Sequence, residues 1–208
     1  NFKLLSKNPK WLIGFSDVTT ILMHVYSQYK ISCIHAPMAY NFKDIDQKTA
    51  NLLINLLKGQ VINIQVKYSS SNVFGVAHGR LIGGNLSIIS SLIGSKSIAC
   101  LDEDHILFIE DIDEYRYHLE RMIYMLDRAG LLKKIKGLIV GQMTDIKDND
   151  KPFGKNPSQI IKDIIKKYNY PVCFNFPIGH TQTNHPIIIG LKIRLEVNDM
   201  FSSIYYEA

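Results

Sequence analysis

Cysteine is scarce in this sequence: Cys33, Cys100 and Cys173 are the only three in 208 residues, far apart and odd in number. No C-x-x-C pair occurs, which excludes a disulfide framework and a zinc knuckle and leaves buried, reduced thiols as the expectation. Tryptophan occurs once, at Trp11. No apolar run approaches the ~20 residues that cross a bilayer, and no basic, apolar and small-residue signal opens the chain. A cytoplasmic protein without a membrane partner is therefore expected. Dense blocks of one charge are missing as well. The net charge of +5 comes from lysines scattered along helix-like stretches such as "KNPSQIIKDIIKKY". Nucleic-acid binding would need a basic face interleaved with aromatics, so no nucleic-acid partner is expected. What is present is ordinary globular material, 46% hydrophobic and 21% charged, enough to bury a core in one large or two small domains.

Along the chain, short apolar segments alternate with periodic ones. "WLI" suits a buried strand, and Val18, Ile21, Leu22 and Val25 then follow helical spacing, so strand, tight turn and helix meet at Ser16. A second helix is expected over roughly Lys48 to Leu57, after the "IHAPMAYNF" loop. "VINIQVKY" alternates like a half-buried strand and "SSSN" reads as a linker. Gly-Gly-Asn then precedes a helical pattern in "GRLIGGNLSIISSLIGS". "HILFIEDIDE" and "IKGLIVGQM" read as buried strands, and a helix runs through Leu119, Met122, Ile123 and Leu126 to Gly130. Asn156 as N-cap, Pro157 at the first helical position and Pro171 beyond the end frame another helix. The remainder reads as strands and hairpins. The fold class expected is α/β with antiparallel content at the end.

Ser16 is the first candidate for chemistry. In a strand, turn and helix context a serine can lie on a strained turn with its hydroxyl above the sheet. Gly14-Phe15-Ser16-Asp17-Val18 lacks the second glycine of G-x-S-x-G, and an N-cap serine accounts for the same stretch. Both readings stay open on local grounds. A serine nucleophile needs a base, and the base needs a group that orients it. Among seven histidines, His180 follows Gly179 at the end of an apolar strand, where α/β sites gather. His24 and His105 read as structural or surface residues, whereas His35 and His78 have loop settings and remain possible. Glu110 ends the strand "ILFIE", with Asp111, Asp113 and Glu114 close behind. One of these acids could orient an imidazole, or the cluster could be a solvated turn. The acids and histidines lack the spacing of known metal motifs, so no metal is expected. "GRLIGGNLS" lacks both phosphate-loop patterns; its glycines allow a close backbone approach to a neighbouring element or a substrate, and Gly84 and Asn85 are the substrate-side candidates.

These blocks, in this order, resemble the LD-carboxypeptidase family of serine peptidases, which includes the microcin immunity proteins. The resemblance rests on Pro9-Lys10 with "LIGFSDVTTIL", then "IHAPM", "GRLIGGNLSIISSLIGS", "ILFIEDIDEYRYHLERMIYMLDRAG", "GLIVGQM" and "PVCFNFPIGHTQTNHPIIIG". It implies a Ser16, His180 and Glu110 triad, with the backbone N–H of Asp17 as one oxyanion donor. It also implies two domains: residues 1–60 as the remainder of a nucleotide-fold-like N-terminal domain carrying the nucleophile, 61–75 as a linker region, and 76–208 as a C-terminal α/β domain with a mixed sheet. The implied substrate is a peptidoglycan-derived tetrapeptide losing its terminal D-alanine, with no metal or organic cofactor and a homodimeric state.

In the family the second oxyanion donor comes from a glycine-rich segment upstream of the serine block. This chain starts too late to hold it, so poor activity or poor folding of the piece alone is expected, with the longer parent competent. Two departures bear on substrate detail: His35-Ala36-Pro37 stands where relatives have His-Gly-Pro, and Glu120-Arg121 where they have Asp before Arg. The alternatives are an immunity-type hydrolase of a peptidyl-nucleotide antibiotic and a silent module that binds wall peptides. Relatives of the immunity kind stack the nucleotide on a loop aromatic, and Trp11 reads instead as part of the strand before the serine.

Overall fold

The computed structural model describes residues 2–60, 62–98 and 103–207. Cys100 lies outside the described residues, while Cys33 and Cys173 are buried free thiols. In order, the elements are α1 (Lys3–Lys7), β1 (Ile13–Gly14), a 3-10 turn (Ser16–Val18), α2 (Thr19–Tyr29) and β2 (Cys33–His35). A second 3-10 turn (Ala39–Lys43), α3 (Gln47–Leu57), β3 (Ile64–Lys67), β4 (Gly75–Asn85) and α4 (Leu86–Ser91) follow. β5 (His105–Ile112), α5 (Arg116–Arg128), α6 (Leu131–Lys134), β6 (Gly137–Thr144), α7 (Pro157–Ile165) and β7 (Val172–Cys173) come next, and β8 (Ile187–Ile189), β9 (Lys192–Val197) and β10 (Phe201–Tyr206) end the chain. Among the described residues no helix is long and apolar enough to cross a membrane.

Two sheets organise these elements. The larger has seven strands in the order β3-β10-β9-β4-β5-β6-β7. β4, β5, β6 and β7 run parallel, joined through α4, α5 with α6, and α7, while β9, β10 and β3 add antiparallel pairs. Parallel strands covered on both faces need continuous apolar runs. β5 meets this requirement: its first seven residues are all buried. α5 buries Leu119, Met122, Ile123 and Leu126, the stripe read from spacing, and α7 buries Ile160, Ile161, Ile164 and Ile165. Asn156 caps α7 through the N–H of Gln159, with Pro157 at its start.

The smaller sheet has three strands, β1-β2-β8. β1 and β2 pair in parallel, whereas β8 arrives from residue 187 onward and pairs antiparallel to β2, with His35 opposite Ile187. The late segment thus closes a sheet begun near residue 13. β3 falls inside the stretch read as a linker and forms an edge of the seven-stranded sheet. Trp11 lies before β1 rather than within it and is 46% exposed. Burial of the two halves against one another is direct: the α-carbon of Gly84 faces Thr19 of α2 so closely that a Cβ there would lie 2.4 Å from the threonine methyl.

Candidate active site

Ser16 follows β1 at φ 57°, in the left-handed region. A non-glycine residue there costs about 1–2 kcal/mol, and such strain persists where the surrounding packing enforces it. The N-cap of the 3-10 turn is Phe15, and neither that turn nor α2 receives a side-chain cap. Of the two readings of this stretch, the serine as a cap is therefore not realised. Asp17, the next residue, is exposed.

Glu110 is fully buried near the end of β5. Its strand pairs with β4 so that Glu110 stands opposite Asn85, and with β6 through an irregularity: Ile109 faces Val140 but Asp111 faces Met143. An extra residue on β6 opposite Glu110 is a β-bulge, a device that re-aims side chains beside sites. Beyond β7 the chain runs on beside β6, with Phe176 N–H donating to Val140 O and Gln142 N–H to Ile178 O. That path delivers Gly179 and His180 to Glu110. Gly179 has φ 122°, and a Cβ on it would stand 3.0 Å from Glu110 Oε2, so glycine is required on both counts.

His180 Nδ1 lies 2.8 Å from Glu110 Oε2. Phe15 packs its ring 4.8 Å from the His180 ring and brings the Ser16 turn to the pair. The structure thus joins Glu110 to His180 by a hydrogen bond and packs Phe15, the residue before Ser16, on the His180 ring; among the described residues no hydrogen bond links the serine hydroxyl to the imidazole. Such bonds often tighten only when substrate is bound. Neither competing acid reaches His180. Asp111 accepts from Asn85 Nδ2 at 2.9 Å and from Ser87 N–H at 3.0 Å, while Glu114 pairs with His118 one helical turn on. Burial pushes the Asp111 carboxyl up to about 6, against the hydrogen bonds from Ile112 N–H and Asn85, with the charges of Glu110 and Glu114 adding to the rise.

Gly84 and Asn85 lie at the same sheet edge. Gly84 is taken up by its approach to Thr19, and the Asn85 side chain is committed to Asp111, Ser87 and the N–H of Ile88, where it caps α4. Beside His180 opens a cleft of about 350 Å³, lined among others by Phe15, Pro37, Asn41, Asp44, His180 and Asn184. The His180 loop is anchored to the first half of the chain: Asp46 accepts from Thr183 Oγ1 and caps α3 through Thr49 N–H. Among the described residues no group of three or more His, Cys, Asp or Glu side chains could hold a metal ion.

Two further residues flank the pair, His35, which sequence reasoning left open in a loop setting, and Asn184, which it missed. His35 ends β2 rather than sitting in a loop, is fully buried, and burial pulls its imidazole down to about 4. Asn184 is buried and accepts from Gly179 N–H at 3.0 Å. The "IHAP" block carried a signal for His35; nothing in the local sequence marked Asn184. Of the other histidines, His24 lies against Ser97, His78 against Glu207, His105 against the Glu103 carbonyl and His118 against Glu114, while His185 is buried beside Asn184 in the His180 segment.

A strained serine turn beside a buried carboxylate and imidazole is the outline of a hydrolytic site. The LD-carboxypeptidase C-terminal domain model matches residues 78–195 and the N-terminal domain model residues 1–36, and the chain belongs to the LD-carboxypeptidase family. The Bacillus subtilis protein named "Probable murein peptide carboxypeptidase" is 28% identical over 92% of this chain and 61% of its own length. The crystal structure of muramoyltetrapeptide carboxypeptidase from Oxalobacter formigenes superposes with a TM-score of 0.91 at 25% identity, covering all of this chain and 72% of that one. The Escherichia coli microcin C7 self-immunity protein MccF is 21% identical over 98% of this chain and 68% of its own length, and its structure with aspartyl sulfamoyl adenosine shares the fold at a TM-score of 0.83. The chain spans less than two thirds of the length of the first curated relatives it matches.

Proposed function

We propose that this chain carries the catalytic triad of a serine carboxypeptidase that removes the terminal D-alanine from peptidoglycan-derived tetrapeptides. The observation that carries the reading is the 2.8 Å bond between His180 and a fully buried Glu110, set beside a serine at left-handed φ. Ser16 Oγ attacks the carbonyl of the scissile bond and its proton passes to His180 Nε2. Glu110 holds the ring through Nδ1 and balances its positive charge. The Asp17 N–H faces the developing oxyanion. Collapse of the tetrahedral intermediate breaks the C–N bond, His180 returns the proton to the leaving D-alanine amine, and water then releases the acyl group from Ser16 by the same steps reversed.

In this reading residues 1–60 supply the nucleophile and residues 76–208 the acid and base, with 61–75 between them. The cleft beside His180 receives the peptide, and the protein acts in the cytoplasm as a homodimer on recycled wall fragments. Relatives named for murein peptides support the substrate class. Release of D-alanine from an LD-tetrapeptide by the whole protein, compared with its Ser16→Ala variant, tests the reading. Turnover lost in the variant upholds it, and equal turnover overturns it. Cleavage of an acyl-sulfamoyl nucleotide in place of the peptide would move the substrate to the immunity class. Binding of the tetrapeptide without turnover of either compound would leave a wall-peptide binding module.

A further inference from the structure

We propose that His35 is a positioning residue for the Glu110–His180 pair, a neutral imidazole behind the site that offers its N–H to the Glu110 oxygen left free by His180. The proposal rests on the triad reading above. His35 sits on the central strand of the three-stranded sheet, opposite Gly14 of β1 and Ile187 of β8. Its ring packs edge-on to Phe108 of β5 at 5.0 Å and to Phe15 at 6.1 Å, and Phe15 also packs on His180. The titratable groups facing it are Glu110 from β5 and His180 from the loop after β7, and the amide of Asn184 faces it from that same loop.

Four polar atoms at this spot have no hydrogen-bond partner among the described residues: His35 Nδ1 and Nε2, Asn184 Nδ2 and Glu110 Oε1. Buried polar atoms left unpaired are costly, so four together call for a common solution. Their chemistry is complementary. Glu110 Oε1 only accepts. Asn184 Nδ2 only donates, its carbonyl oxygen being held by Gly179 N–H at 3.0 Å. A neutral imidazole has one donor and one acceptor. Asn184 to His35 to Glu110 therefore closes as one chain when the side chains draw together, and only if His35 is neutral. A protonated ring would have no acceptor for Asn184 and would compete with His180 for the charge of Glu110. Burial keeps the ring neutral, and the edge-on phenyl groups hold its plane.

The test is NMR of the histidine ring nitrogens in the whole protein, with D-alanine release measured in parallel. In the unmodified protein His35 is expected to keep one protonated and one bare ring nitrogen from pH 5 to 8, with a slowly exchanging N–H, and the His180 Nδ1 proton to resonate downfield of the amides. His35→Phe is expected to lose that downfield signal to exchange and to lower kcat about tenfold with KM within about twofold. His35→Gln, which keeps a donor and an acceptor, is expected to restore the signal and most of kcat. A merely structural His35 would change stability and leave the His180 signal in place; that result, or His35→Gln behaving like His35→Phe, overturns the proposal. If His35→Phe does not fold, the unmodified protein decides, since a His35 ring that titrates between pH 5 and 7.5 is equally fatal. The triad reading fails separately, through a Ser16→Ala variant that still hydrolyses, with the ring signals unaffected.

Discussion

Ser16 stands at the end of a two-residue strand in the three-stranded sheet, whereas Glu110 stands within an eight-residue strand in the middle of the seven-stranded one. Both present one side chain at a sheet edge, and they are held there by different means. The serine is aimed by local backbone strain, at φ 57° in a turn without a side-chain cap. The glutamate is aimed by long-range pairing, with β4 on one side, a bulge in β6 on the other and no exposed surface. The serine turn is partly exposed, as the proposed nucleophile requires, while the Glu110 carboxylate is sealed from water, where its charge would act most strongly on His180. His180 bonds to Glu110 and packs on Phe15, the residue before the serine, and its loop is tied to the first half of the chain through Asp46.

Breaking each side separately sharpens this contrast. Ser16→Ala removes the attacking oxygen and leaves the fold intact, so hydrolysis is expected to fall by about 10⁵-fold or more with unchanged thermal unfolding. Glu110→Gln keeps shape and removes charge; kcat is expected to fall on the order of 10³–10⁴-fold, as when the carboxylate of a triad becomes an amide. A stability cost larger than the catalytic one would show that Glu110 is a structural residue. Gly83→Ala attacks the long-range side alone: at φ 137° its Cβ would meet the Phe108 carbonyl oxygen at 1.9 Å, so a loss of about 3 kcal/mol or more in denaturant unfolding is expected.

Acid probes the buried imidazoles. His35 and His185 are both lowered to about 4 by burial, so the unfolded chain takes up protons first as pH falls below 6.5, and stability is lost between there and pH 4. His35 alone accounts for up to about 3 kcal/mol. Asp111, raised to about 6, works in the opposite direction, gaining stability as pH falls from 6 toward 4, and offsets part of the loss. Denaturant midpoints at pH 7 and 4.5 should therefore differ clearly, with the lower value in acid; a flat response would show that these rings are solvated. The smallest effect is expected from Asp46→Ala, which removes the cap of α3 and the Thr183 anchor. About 1 kcal/mol of stability and a few-fold loss of kcat/KM should follow, measured by unfolding and by D-alanine release.

The helices were legible because their information is local. The stripe of α5 and the Asn156-Pro157 start of α7 emerged where spacing and cap chemistry placed them. Gly-Gly-Asn likewise marked the passage from β4 into α4. The three-stranded sheet was not legible, since it joins residues 13–14, 33–35 and 187–189, and no window of sequence contains all three. His35 looked like a loop residue for that reason, and its burial depends on a strand that arrives about 150 residues later. Apolarity alone places Trp11 in a strand, yet β1 begins two residues further on and leaves the indole half-exposed. The choice among Glu110, Asp111 and Glu114 also needed geometry, because neighbouring residues on a strand face opposite ways: Glu110 turns to His180 and Asp111 to the start of α4.

The proposed triad requires that Ser16 be made nucleophilic by the imidazole of the loop after β7 and the carboxylate of β5. An alkyl fluorophosphonate, which phosphonylates activated serines, tests it without reference to substrate, by mass spectrometry of the labelled whole protein. One adduct is expected, on the peptide containing Ser16, forming at least about 100-fold more slowly in His180→Gln. An adduct on another residue, or labelling of Ser16 at the same rate without His180, would contradict it.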